Sequence, residues 1–336
     1  MIPAAVAVLA IVVATCIICA VVYVFTAPAA WINGSPVDRR ELKLYMDKNR
    51  AGIIADYESK TGVSYSRGFW DTRYGDETPA QALRMKALEA LTPDKIKLLE
   101  ARRFGVIDNV DYSSFLGELA RENKRREQTL NSGGIIYGPK NYPEADYYEY
   151  ILDNAALDCM QKLNETLFML NEKDYKDFYE SEKAFYYRNV DVSDVLWVSA
   201  ARGANDAEIA EVVSIRNTFE NGSDWRNLND NGAARFQTLS FGGEDAKNQA
   251  LADQRLYEAA LSLEPGGLSE WIDSDSGVGF LYCVDKRSGG FIPYEECRDL
   301  VLKTLLEKRF TEYIGDLADK AEVKINSAVW SFISVG

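Results

Sequence analysis

The spacing of apolar residues divides the 336-residue chain into three regions. Ile2–Phe25 carries no charged side chain and consists mostly of Ala, Val and Ile. From about residue 36 to 187, apolar residues recur every three or four positions, which predicts a series of amphipathic helices. Thr78 followed by Pro79 is typical of the start of one of these helices. From about residue 188, strands and helices are predicted to alternate.

The region after residue 188 predicts a small α+β module. Asp273–Gly277 is rich in turn-forming residues and separates the last two predicted strands. The predicted elements are strand Val190–Val198, helix Asp206–Asn221, strand Arg235–Phe241, helix Asp253–Leu263, strands Leu268–Ile272 and Val278–Val284, and helix Tyr294–Ala321.

The uncharged segment Ile2–Phe25 is long enough to cross a membrane. Its 24 residues would span about 36 Å as a helix, and a bilayer core is about 30 Å thick. We therefore predict a transmembrane or signal-anchor segment over residues 1–30. Ala27–Ala29 has the small-residue pattern of a cleavage site, so removal of the segment stays open as an alternative.

Charge and composition exclude several classes of function. Lys and Arg total 38 and Asp and Glu total 52, so the net charge is −14. An acidic surface repels phosphate backbones, and we therefore predict no nucleic-acid partner. The chain contains no histidine. A Ser-His-Asp triad, a Cys-His dyad and a histidine-ligated metal site are therefore excluded.

Cysteine usage predicts neither a disulfide framework nor a metal site. Cys16 and Cys19 lie in the apolar segment, and the other three cysteines are widely spaced. Buried free thiols are the simplest interpretation, and a Cys283–Cys297 pair is the alternative. We predict no metal and no cofactor.

Four short motifs resemble, in the correct order, the signature of parvulin-type peptidyl-prolyl isomerases. Val192–Leu196 is similar to the opening strand of that family, and Gly222–Leu228 to its G-x-D-F-x-x-L motif. Leu261–Ser269 is similar to F-x-L-x-x-G-x-[IVM]-S, and Ser276–Leu281 to the G-[YI]-H-[IL]-[IL] that follows. The resemblance implies a parvulin-like domain over residues 188–291 with a four-stranded antiparallel sheet.

The upstream region resembles the SurA/PrsA-like helical chaperone domain of membrane-attached or secreted foldases. Trp31–Val37 is similar to the motif with which that domain begins. The resemblance implies a helical chaperone domain over residues 31–187, and a C-terminal helix and tail over residues 292–336 that pack on it. It also implies a single-pass protein of the cell membrane whose folded part is extracytoplasmic.

The same resemblance implies where a proline-binding pocket would lie. Parvulins use two histidines, and the matching positions here are Asp194 and Gly279, which we expect to face each other across a shallow cradle. Ala252 and Leu256 stand at the Met and Phe positions of the family, and Ser274 at a hydroxyl position. Loss of both imidazoles and of the methionine carbons predicts a degenerate isomerase site.

Structural roles compete with these functional interpretations. Asp194 is explained equally well as a strand-edge carboxylate in solvent. For Gly279 a role as a packing or bulge glycine is favoured over a functional one. Residues 227–232 resemble a calcium loop, but its twelfth position is Thr238 and not glutamate, which favours a polar turn. Tyrosines of the helical region either line a groove for client polypeptides or pack a core, for example Tyr147, Tyr148 and Tyr150.

We therefore expect a membrane-anchored foldase or chaperone that binds unfolded or proline-containing client polypeptides. An active, divergent prolyl isomerase is the first alternative, and a non-catalytic envelope scaffold is the second. The sequence carries no signal for the oligomeric state.

Overall fold

The computed structural model describes residues 26–222 and 232–335, together with Thr15 and Arg226. Apart from Thr15, the predicted membrane segment at Ile2–Phe25 lies outside the described residues. Most of the Gly222–Leu228 motif and of the calcium-like loop at 227–232 also lies outside them. In the part of the chain that is described, no helix is both long and apolar enough to cross a bilayer.

The chain forms two compact units. The helical unit comprises the residues up to Leu170 and those from Leu306 onward, and the sheet unit comprises Asn171–Leu305. The strands are β1 Ala30–Ile32, β2 Ser35–Val37, β3 Val190–Ala200, β4 Arg235–Gly243, β5 Ile272–Ser274, β6 Gly277–Arg287 and β7 Val323–Ile325. The helices are α1 Arg39–Thr61, α2 Pro79–Arg103, α3 Tyr112–Asn131, α4 Glu144–Leu163, α5 Glu172–Tyr186, α6 Asp206–Glu220, α7 Ala246–Ala252, α8 Gln254–Ser262, α9 Tyr294–Asp319 and α10 Ser327–Trp330.

Capping side chains determine where the long helices of the helical unit begin. Asp38 and Glu41 form a reciprocal capping box at the start of α1. Thr78 and Gln81 form the same arrangement before α2, with Pro79 at the first helical position. Each cap satisfies backbone N–H groups that the first turn leaves without partners, and is worth about 1 kcal/mol. The predicted helix start at Thr78 is confirmed.

A small sheet joins the two ends of the helical unit and was not predicted. β1 pairs antiparallel with both β2 and β7, which places Ala30 opposite Val37 on one side and Ile325 on the other. Each of these strands has only three residues. A run of that length carries no measurable periodicity, so the sequence pattern does not reveal it.

The apolar core of the helical unit encloses an ion pair. Lys95 Nζ lies 3.1 Å from both carboxylate oxygens of Glu41, and neither side chain is accessible to solvent beyond 1%. Lys95 also donates to the carbonyl of Val110 at 3.2 Å, and the Tyr148 hydroxyl donates to Glu41 at 2.8 Å. The pair ties α1 to α2, and every polar atom at its centre has a partner.

The sheet unit is built on a four-stranded antiparallel sheet of order β4-β3-β6-β5. This agrees with the strand number and direction that the family resemblance implies. β3 carries the unbroken apolar run Val195–Val198 because both faces of the sheet are covered. Val195 and Trp197 pack in the core beside α8, and Leu196 and Val198 pack in the core beside α6.

The prediction for the last strand pair is partly wrong. Leu268–Ile272 is predicted as a strand, but β5 begins only at Ile272 and ends at Ser274. Leu268 forms a single bridge with Tyr282, and the backbone groups of Gly266, Gly267 and Ser269 on either side of it hydrogen-bond to Cys283 and Leu281 of β6. Since Ser274 pairs directly with Gly277, the turn is also shorter than predicted.

Candidate functional site

The pairing register of β3 and β6 decides which predicted site residues meet. Gly279 on β6 lies opposite Ser199 on β3, whereas Asp194 lies opposite Asp285. Positions 194 and 199 are separated by about 17 Å, at about 3.3 Å per strand residue. The expectation that Asp194 and Gly279 face each other is therefore wrong. Sequence reasoning missed Ser199, the buried residue that does face Gly279.

The backbone of β3 approaches Gly279 too closely for a side chain. A Cβ added at this position would overlap the carbonyl oxygen of Val198 and would lie 2.7 Å from the Cα of Ser199. Both atoms belong to the main chain of a central strand and cannot rotate away. Gly279 therefore serves close strand packing, and an imidazole does not fit here unless β3 moves.

Asp194 belongs to a polar ladder across three strands. Its carboxylate accepts a hydrogen bond from the hydroxyl of Ser240 on β4, its direct cross-strand neighbour. Its other oxygen lies 3.2 Å from Arg287 Nε on β6, and a quarter of the Asp194 side chain is exposed. Because both oxygens have partners in the sheet, the contacts fit a structural role.

Asp194→Asn is expected to lower the free energy of unfolding by at most about 1 kcal/mol, because a partly exposed ion pair contributes little. Urea unfolding of the variant and the unaltered protein measures the difference. Arg287→Gln removes the partner charge and is expected to have an effect of the same size. A loss above about 3 kcal/mol would instead indicate a desolvated, strongly coupled carboxylate.

Ala252 and Ser274 share a cleft of about 600 Å³ beside the edge strand β5. Arg202 Nη1 lies 2.6 Å from a carboxylate oxygen of Asp275, and Arg255 Nη1 donates to the carbonyl of Asp273 at 2.9 Å. The side chains that give the cleft its charge are Arg202, Asp253, Arg255, Glu258, Asp273 and Asp275.

The cleft lacks the apolar wall that a proline ring needs. Among its lining residues, Ala252 supplies the only apolar side chain. Leu256 is elsewhere, 4% exposed and packed with Val195 and Trp197 in the sheet core. Of the five predicted site positions, Ala252 and Ser274 are the two that line this cleft. A charged, open cleft favours polar ligands over an apolar ring.

The cysteine thiols of the described residues are buried and are not exposed to a substrate. Cys159, Cys283 and Cys297 are buried free thiols. Burial raises the pKa of Cys159 to about 11, and it also raises the pKa of Cys283 and of Cys297 above the ordinary value. The thiolate is the reactive form, so these residues act as small apolar side chains near neutral pH. Cys16 and Cys19 lie outside the described residues.

An apolar groove of about 320 Å³ lies on the helical unit between α4 and the middle of α9. Leu157 is 50% exposed, and beside it Met160 and Phe310 show only small parts of their surface. The charged residues along the groove, Asp153 and Glu307, are both acidic. We name this surface the α4–α9 groove. An apolar surface flanked by charged side chains is typical of a protein-binding site.

The tyrosines considered from the sequence do not form this groove. Tyr147 and Tyr148 are buried in the helical core, and Tyr150 is half exposed and stacks on Tyr142 with ring centroids 5.9 Å apart. The spacing of Leu157 and Met160 marks one helix face, but Phe310 comes far later in the chain. Its place beside them carries no signal in the sequence.

Comparison with known proteins finds similarity at the level of structure. No family model and no curated protein matches the chain. A SurA-like chaperone of Campylobacter jejuni is similar over 89% of this chain and 99% of its own, at 14% identity and a TM-score of 0.29. The peptidylprolyl isomerase PrsA of Bacillus anthracis is similar over 69% and 94%, at 17% identity and a TM-score of 0.20.

PrsA of Bacillus subtilis gives a similar result, covering 74% of this chain and 89% of its own at 12% identity and a TM-score of 0.20. These solved structures belong to the PrsA and SurA-like foldases that the sequence motifs resemble.

Proposed function

We propose that this protein is a foldase-type chaperone that binds unfolded polypeptides, and that its parvulin-like sheet unit has lost the isomerase chemistry. The uncharged Ile2–Phe25 segment would attach it to the cell membrane, with the folded units on the extracytoplasmic side. Its clients are extended chains with exposed apolar side chains. Its strongly acidic surface keeps the protein soluble while it holds them.

The observation that carries this proposal is the α4–α9 groove. Leu157, half exposed, and the small exposed parts of Met160 and Phe310 place apolar surface where an extended chain can reach it. Ile135 and Tyr137, in the loop between α3 and α4, are 84% and 89% exposed and add further apolar surface to the same unit. Apolar groups held at a surface bind other apolar groups with little sequence preference, which suits a chaperone.

The geometry of the sheet unit supports the loss of catalysis. The barrier to prolyl isomerisation is about 18–20 kcal/mol, and lowering it requires a dry pocket with fixed polar groups around the twisted imide. The chain has no imidazole, Gly279 has no room for a side chain, and the cleft at Ser274 is open and charged.

The full chain is expected to suppress aggregation of chemically denatured rhodanese and luciferase, measured by light scattering. Leu157→Asp should raise the concentration needed for half suppression at least threefold, because it places a charge in the apolar groove beside Asp153 and Glu307. Leu300→Asp is the matched control, since Leu300 is 49% exposed on α9 within the sheet unit. Equal effects of the two substitutions would remove the groove from the proposal.

An isomerase assay on a short X-Pro peptide tests the second half of the proposal. Uncatalysed cis/trans isomerisation of an X-Pro bond takes tens to hundreds of seconds at 25 °C. We expect the same rate in the presence of the full chain. Robust turnover would overturn the proposal of a non-catalytic module and make the protein a divergent isomerase.

A further inference from the structure

A second cavity of the helical unit, about 280 Å³ in volume, lies beside the first turn of α3. Its apolar lining includes Leu98, Phe115 and Leu152, together with the rings of Tyr112 and Tyr148.

The Tyr112 hydroxyl donates to Glu144 at 2.6 Å, and the Tyr148 hydroxyl donates to the buried Glu41. Because these hydroxyls are already bonded, both rings offer apolar surface to the cavity.

The charge around this cavity has one sign. Among the described residues that line it, every charged side chain is a carboxylate. Lys95 neutralises Glu41, but Asp108, Asp111 and Glu118 are exposed and form no ion pair in the described part of the chain. A pocket with partly apolar walls thus opens through a rim of three carboxylates that have no ion-pair partner among the described residues.

We propose that this pocket, the α3 pocket, binds one bulky apolar side chain of a client segment whose neighbouring residues are Lys or Arg. The inference rests on the proposed function and names the class of client that this surface selects. A cavity of this size accepts a single side chain, and the aromatic walls favour an aromatic one.

Charge complementarity selects this occupant over other apolar segments. Cations next to the inserted side chain would face Asp108, Asp111 and Glu118. An acidic segment would instead meet like charge at the rim. The pocket therefore favours basic segments with an aromatic residue, whereas the α4–α9 groove accepts apolar segments more generally.

Fluorescence anisotropy with three labelled peptides tests the proposal on the full chain. The peptide GSGKFKGSG is expected to bind at least tenfold more tightly than GSGEFEGSG, which reverses the charges, and than GSGKAKGSG, which removes the ring. Raising NaCl from about 50 to 500 mM should weaken binding of the first peptide several-fold, because exposed charges are screened. Equal binding of all three peptides would overturn the proposal.

Two pairs of variants separate the pocket from general surface effects. Ser114→Phe fills the cavity and should abolish binding of GSGKFKGSG, whereas Ser113→Phe, on the neighbouring exposed residue outside the lining, should not. Asp108→Asn with Glu118→Gln should weaken binding at least fivefold. Asp158→Asn with Glu127→Gln changes the net charge equally at exposed sites outside the pocket and should have little effect.

The outcomes distinguish this inference from the proposed function. Suppression of aggregation without preference for GSGKFKGSG would leave the chaperone function in place and reject the α3 pocket as its client site. Preferential binding of GSGKFKGSG without suppression of aggregation would support the pocket and reject the chaperone function.

Discussion

Lys95→Met is expected to lower the free energy of unfolding of the helical unit by about 3–5 kcal/mol, because it leaves one member of a buried ion pair without its counter-charge. Methionine keeps an unbranched apolar stem, but it removes the ammonium group that lies 3.1 Å from both oxygens of Glu41. The carboxylate then keeps the hydrogen bonds from the Tyr148 hydroxyl and the Asp38 amide and has no cation beside it.

The effect of Lys95→Met should depend on pH. Burial raises the pKa of Glu41, while the Lys95 charge and the Tyr148 hydrogen bond act in the opposite direction. Without the ammonium group the pKa of Glu41 rises further in the folded state. An acid whose pKa is raised by folding stabilises the protein at low pH and loses that contribution as pH rises through the folded pKa, so the loss should grow between about pH 5 and 8.

Urea unfolding at the two pH values, with amide hydrogen exchange in α1 and α2, measures this loss in the helical unit. Lys95→Met combined with Glu41→Gln should recover at least half of it, since neither charge then remains buried. Lys43→Met removes an exposed lysine from α1 and should change the stability by less than about 0.5 kcal/mol. A loss from Lys95→Met below about 1 kcal/mol at pH 8 would show that water reaches Glu41.

Gly279→Ala is expected to lower the free energy of unfolding of the sheet unit by about 3 kcal/mol, a large cost for one added methyl group. The methyl group would overlap the backbone of Val198 and Ser199, so β3 and β6 must separate to admit it. The loss should appear in the hydrogen exchange of β3 and β6 amides, and the amides of the helical unit should be unaffected.

Gly52→Ala provides the matched control, because Gly52 lies inside α1 and no atom other than the backbone of that helix and its chain neighbours lies within 4 Å of an added Cβ. That substitution should stabilise the protein by about 0.5–1 kcal/mol through the helix preference of alanine. Gly279→His introduces the histidine that parvulins have at the matching position. It should destabilise the sheet unit more than Gly279→Ala does, because the side chain is larger. A Gly279→Ala protein within about 1 kcal/mol of the unaltered one would contradict the close strand contact.

The parts of the fold that could be predicted from the sequence are those encoded by neighbouring residues. The adjacent Thr78 and Pro79 indicate the start of α2, and the strand-like residues Val195, Leu196 and Val198 lie in β3. The three-residue strand β7 could not be found, because it is held by pairing with β1 from the opposite end of the chain.

The candidate site was predicted less well because a motif does not specify strand register. The motifs around Asp194 and Gly279 locate β3 and β6, but a shift of pairing by a few residues leaves each motif unchanged and alters which side chains meet. In the same way Ala252 and Leu256, four residues apart, end in a polar cleft and in the sheet core, since α7 ends between them.

The composition alone excluded catalysis or metal binding by histidine and predicted an acidic surface, because counts of residue types do not depend on the fold. Local patterns located most helices and strands, because capping and periodicity act over a few residues. The tertiary arrangement placed Ser199 opposite Gly279, put Phe310 beside Leu157, and surrounded an apolar pocket with Asp108 and Glu118. Each of these contacts joins residues distant in the chain, and such contacts are chosen by the packing of the whole unit.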